Sequence, residues 1–187
     1  MKKIFASLLI AVIIAGCVGQ TKVYPYQLDY AEKRMQFRAN LNEAGKILME
    51  PSAEDLQKVL MSPNIKGIRV AFVPSENDKF YAVSGFELAQ KMQWVNMAIY
   101  GSAIPITNLI LNKTDDAKRL ASEENPIVVM QGSADETKVL VNGYVVYVSG
   151  KDMTEVNRDY TDLDLAADKL LLTLMDMGYA YKLVNVN

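Results

Sequence analysis

The sequence predicts an α/β fold: a single domain with a mixed parallel and antiparallel sheet, helices packed on it, and two helices preceding it. Three observations carry this expectation. Apolar runs at 67–73, 106–111 and 127–130 alternate with helical patterns, and strands separated by helices need crossover connections, hence parallel pairing. Asn142-Gly143 lies between two alternating segments, a hairpin signal that adds antiparallel edges. Upstream of all these strands, apolar residues recur at helical spacing.

The elements follow in order. Ala31, Met35, Phe37, Leu41, Ala44 and Leu48 fall mostly three or four apart, predicting a first helix over 28–49 that Pro51 stops. Ser52 opens a second, short helix, with its side chain accepting from the Asp55 N–H and Leu56, Val59 and Leu60 turned inward. The strand 67–73 ends at Pro74, and 80–83 reads as a strand extension or a second strand. Ser84-Gly85-Phe86-Glu87 has the form of a capping box opening a helix to Tyr100, with Gly101 as terminator. The strand 106–111 precedes a helix capped by Thr114 or Asp115, which runs to Ala121 ahead of Pro126. Ile127 to Met130 is apolar throughout, as a central strand should be. The hairpin 137–149 leads through a polar connection to a helix over 161–177, ended by Gly178, and 179–186 alternates as a last strand.

Composition bounds the function. Half of the 187 residues are hydrophobic and 22% are charged, a globular balance. Histidine is absent. That removes serine–histidine triads, histidine general bases and nearly every zinc site. An enzyme here would work through carboxylates, lysine, tyrosine or a hard metal held by oxygens. No cofactor is expected. The basic residues are scattered, so no nucleic-acid partner is expected either.

The N-terminus supplies an address. Lys2 and Lys3 precede an apolar stretch from Ile4 to Ile14, and Ile14-Ala15-Gly16-Cys17 places the chain's one cysteine after two small residues. Secretory signals have this basic start and short apolar core. A membrane span needs about 20 apolar residues, whereas Ile4 to Gly19 makes sixteen before Thr21 and Lys22. The segment resembles a lipoprotein signal peptide with its lipobox, and the chain looks like an archaeal-type or bacterial cell-surface lipoprotein of uncharacterised function. The resemblance implies a signal peptide over 1–16 and lipid on Cys17. A tether over 17–26 and a domain over 27–187 follow it. Removal of Lys2 and Lys3 takes the 20 basic residues to 18 against 22 acidic ones, a charge near −4. An uncleaved anchor and simple secretion after Gly16 are the competing readings. The eight residues 18–25 reach about 25–29 Å when extended, which keeps the domain near the lipid surface on the extracytoplasmic side of the cell membrane. With its cysteine used by the anchor, the chain has none for disulfides or thiol chemistry.

Other candidates compete with plainer accounts. Asp159, Asp162, Asp164 and Asp168 are the residue type that calcium or magnesium takes. Their spacing is not an EF-hand, and Asp162 and Asp164 suit the first turn of a helix on dipole grounds alone. Gly132 to Thr137 follows an apolar strand but lacks the second glycine and lysine of a phosphate loop. The helix start at Ser84 offers N–H groups to an anion, as most helix starts do. Tyr24, Tyr26 and Tyr30 cluster beside the tether, where rings favour a membrane interface or half-burial. Asn112-Lys113-Thr114 is a glycosylation sequon. These readings favour an envelope lipoprotein that binds an envelope protein or small ligand, or plays a structural part. An exported enzyme is the alternative. A transporter's solute-binding subunit ranks lower, since the chain is short for two lobes.

Overall fold

A computed structural model describes residues 25–75, 78–155, 159–176 and 182–185. A six-stranded mixed sheet carries helices, in agreement with the α/β class. The expected pair of preceding helices is not found as such. Strands β1 (Tyr26–Tyr30) and β2 (Lys33–Phe37) form an antiparallel hairpin in place of the first, followed by a single helical turn α1 (Leu41–Ala44) and strand β3 (Leu48–Glu50). Only the second, α2 (Ala53–Leu60), is helical, and Ser52 accepts from the Asp55 N–H at 3.1 Å as its cap.

The correction has a physical cause. Leu28 and Tyr30, then Met35 and Phe37, are buried at every second position of two five-residue runs, the strand period and not the helical one. Between them Ala31 and Glu32 both take positive φ, 47° and 66°, as a two-residue type I′ turn requires. Strand β1 also pairs with β9 (Lys182–Asn185), completing a three-stranded sheet in the order β2-β1-β9.

The larger sheet runs β3-β7-β8-β6-β4-β5, comprising β4 (Ile68–Phe72), β5 (Ile106–Ile110), β6 (Ile127–Gln131), β7 (Lys138–Asn142) and β8 (Val145–Ser149). Every pair is parallel except β7 with β8. Asn142 pairs with Val145, so the hairpin turn is Gly143-Tyr144, with Gly143 at φ +60°. Helix α3 (Asp78–Tyr100) absorbs both the expected strand at 80–83 and the expected helix start at Ser84. It ends at Gly101, at φ +67°. A short α4 (Asp116–Leu120) follows β5, and α5 (Asp162–Met175) follows β8.

Alternation divides the sheet into two faces. Val70, Val128, Met130, Val146 and Val148 pack with α3, α5 and the small sheet in one continuous core. Ala71, Ile127, Val129, Val145 and Tyr147 pack under α4 on the other. Helix α5 is almost wholly buried, because it lies between the large sheet and α1, α2 and α3. Thr161 accepts from the Asp164 N–H and the Asp164 side chain reaches back to the Thr161 N–H, a reciprocal cap.

Strand β8 delivers the chain to α5 at close range. A methyl group on Gly150 would stand 2.7 Å from Leu163 Cα and 2.9 Å from the Asp162 carbonyl carbon. Backbone on both sides cannot yield as a side chain would. Gly150→Ala is therefore expected to cost about 2–3 kcal/mol through overpacking, read by chemical denaturation. A loss below about 0.5 kcal/mol would show that the first turn of α5 shifts without penalty.

Candidate functional site

The site forms where the hairpin meets α3 and α5. Arg38 directly follows β2 and is only 5% exposed. Its Nη2 donates to Asp164 Oδ1 at 2.7 Å, its Nε lies 3.2 Å from Glu87 Oε1, and its Nη1 lies 3.7 Å from Glu155. Asp164 takes further donors: the Ser84 hydroxyl at 2.6 Å, the Thr161 N–H at 2.8 Å and the Thr161 hydroxyl at 3.0 Å. The Lys91 ammonium stands 3.8 Å from Glu87, 3.7 Å from Asp168 and 4.2 Å from the centre of the Phe37 ring. Glu87 and Lys91 are one helical turn apart on α3, and Asp164 and Asp168 are one turn apart on α5. Two facing helices thus bring three carboxylates around one arginine and one lysine.

Burial dominates the electrostatics. It pushes the Asp168 carboxyl from 3.8 to about 7, against the pull of Lys91, with Asp164 and Glu87 adding repulsion and Arg38 opposing it. The cluster sets two cations against three central carboxylates. Holding a proton on Asp168 balances the interior charge, which a low-dielectric site favours. A cavity of about 10 Å³ remains among these side chains, room for one water at most.

Glu87 and Lys91 also face outward into a larger cleft of about 340 Å³. One wall is β2 from Lys33 to Gln36, and the other is Glu87, Gln90, Lys91 and Trp94 along α3. Across its end the Lys33 ammonium lies 3.2 Å above the Trp94 ring, a cation–π contact. Behind that pair is a smaller recess of about 160 Å³, lined by Tyr30, Met35, Met97 and Ala98 among others. The volume suits a ligand site, and the walls are mostly charged and polar, with Met35 and Trp94 as their apolar part.

The residues singled out from sequence are distributed differently from a metal centre. Asp164 and Asp168 join the buried cluster. Asp162 turns the other way, accepting from the Thr137 hydroxyl at 2.8 Å and the Asp152 N–H at 3.0 Å. Asp159 is exposed in the connection before α5. Among the described residues, no three or more acidic or sulfur-bearing side chains are grouped so as to hold a metal ion. Asn112 is exposed between β5 and α4. Tyr30 is buried and Tyr26 packs on the core. Cys17 and Tyr24 lie outside the described residues. No helix among the described residues is long and apolar enough to cross a membrane.

Ser84, the expected helix cap, instead sits within α3 at 3% exposure with its hydroxyl on Asp164. Neither Arg38 nor Lys91 carries a motif that sets it apart in the sequence. Comparison with known proteins finds no family model, no curated protein and no solved structure that matches the chain. The function therefore rests on the site alone.

Proposed function

We propose that this chain is a lipid-anchored cell-envelope protein whose domain binds a ligand in the cleft between β2 and α3. The cleft is the observation that carries the binding reading: it is concave, walled by a strand and a helix, and contains the chain's one tryptophan. The Ile14-Ala15-Gly16-Cys17 run supports the anchor, and lipid on its cysteine would hold the domain at the membrane surface. The charged groups below the cleft are neutralised by one another, which suits a scaffold that holds its walls in place more than a reactive centre.

The anchor is tested with Cys17→Ser. The variant is expected to lose lipid mass at the mature N-terminus and to leave the membrane fraction. A mature mass and membrane partition equal to wild type would overturn it. One observation favours a second reading, an exported enzyme working through carboxylates: Asp168 holds its proton to about pH 7 beside Glu87, in the small cavity that shares Glu87 and Lys91 with the cleft.

A further inference from the structure

The wall formed by β2 is a strand edge. In the small sheet β2 has β1 on one side and, among the described residues, no strand on the other. The two-residue turn at Ala31-Glu32 makes Tyr30 and Lys33 the closing pair of the hairpin. Closing pairs of such turns exchange both hydrogen bonds, and the pattern then alternates. Lys33, Met35 and Phe37 therefore spend their backbone groups on β1. The N–H and C=O groups of Arg34 and Gln36 point the other way, into the cleft.

An exposed strand edge is a template for pairing. Here it faces a helix across a gap and does not lie flat in solvent, so an added strand would be held on both sides. The charge on that edge indicates what fits. Lys33 has no carboxylate within ion-pair distance among the described residues and rests on Trp94. Arg34 has only the exposed Asp29 at 2.9 Å, a pairing worth little. Glu87, the one carboxylate on the cleft wall, is engaged by Arg38 and Lys91. The strand edge thus presents positive charge, with Met35 and Trp94 as apolar ground between.

We infer that the cleft takes an extended acidic peptide segment, which adds to the outer edge of β2 as a further strand. The inference rests on the reading of the cleft as a ligand site and names its ligand class. Backbone pairing with Arg34 and Gln36 supplies the register. Alternating side chains would lie on Met35 and Trp94 on one side, where an acidic group also reaches Lys33, with acidic groups reaching Arg34 on the other.

The test uses the full-length protein in detergent and three heptapeptides: alternating Glu and Val, the same peptide N-methylated at alternate residues, and alternating Lys and Val. The sole tryptophan reports cleft occupancy by its fluorescence, and hydrogen exchange reports the Arg34 and Gln36 amides. The Glu–Val peptide is expected to shift Trp94 emission and to protect both amides. N-methylation should weaken binding about tenfold, since it removes ladder hydrogen bonds. Gln36→Pro should do the same, because proline at an outward-facing edge position removes a donor without breaking the β1–β2 ladder. Should that variant misfold, Lys33→Glu/Arg34→Glu keeps the test alive, with a loss of about three- to tenfold expected.

Equal binding of the N-methylated peptide and of Gln36→Pro would overturn strand addition while leaving the cleft a binding site. Equal binding of the Lys–Val peptide would overturn the acidic preference. No response at Trp94, Arg34 or Gln36 to any peptide would overturn the inference. The anchor would still be judged separately by the Cys17→Ser result, which no peptide affects.

Discussion

Arg38→Met is expected to lose about 3–5 kcal/mol of stability, the usual cost of removing one partner from a buried ion pair. The loss comes from the groups left behind. Asp164 is 6% exposed and would keep its Ser84 and Thr161 donors but no adjacent cation. Glu87 would lose its nearer cation, with Lys91 standing farther off at 3.8 Å. Chemical denaturation followed by far-ultraviolet circular dichroism measures the change. The double variant Arg38→Met/Asp164→Asn separates charge from packing. If charge is responsible, it should be less destabilised than the two single variants combined, by about 0.5–3 kcal/mol. A loss below about 1 kcal/mol in Arg38→Met, with no coupling, would show that packing alone holds the hairpin to α3 and α5.

The second large effect is a pH dependence centred on Asp168. Its carboxyl is raised from 3.8 to about 7, chiefly by burial. The folded protein therefore holds a proton there that the unfolded chain has already released. Stability from this group is fully present below about pH 4 and is lost as pH rises through about 7. The loss is on the order of 4 kcal/mol. In Asp168→Asn an uncharged isostere replaces the protonated acid. The variant should match wild type near pH 3 and exceed it by several kcal/mol near pH 8. Stability measured at both pH values checks this. A variant that weakens relative to wild type as pH rises would mean that Asp168 is held charged by Lys91, and that the burial argument fails. The same variant bears on the enzyme reading, because a reaction working through this proton would lose its activity with it.

The sequence discloses the large sheet better than the small one. Strands β4 and β6 lie within the sheet, so their apolar runs stand out from polar surroundings. The β7–β8 hairpin carries a glycine at its positive-φ position, the residue that such turns prefer. The β1–β2 hairpin carries no such mark. Ala31 and Glu32 occupy conformations usually given to glycine or asparagine, so nothing local interrupts the apolar spacing that also fits a helix. At Ser84 to Glu87 the capping pattern is present, but helix α3 begins upstream at Asp78. Local sequence cannot distinguish a cap from the same residues inside a longer helix.

The site was visible only in part for a different reason. Asp164 and Asp168 attract notice as acidic residues close together, yet their partners come from distant segments. Arg38 reads as one polar residue among many on an exposed helix face. Only when that segment becomes a strand does the residue just past its end turn inward toward α3 and α5. Tertiary placement, not residue type, makes it the centre of the cluster.

The small sheet also has a consequence for the order in which the protein is built. Its middle strand, β1, lies near the start of the described chain, and its partner β9 lies near the end, with Tyr26 opposite Asn185. That pairing closes almost the longest loop the chain can make, and such non-local contacts form slowly. During synthesis the hairpin can assemble early, but its β1 edge stays open until β9 has been made. For that interval the nascent chain has two unsatisfied strand borders, β1 and β2, and arrival of β9 leaves only one. Arrival of β9 thus decides which border stays available for pairing.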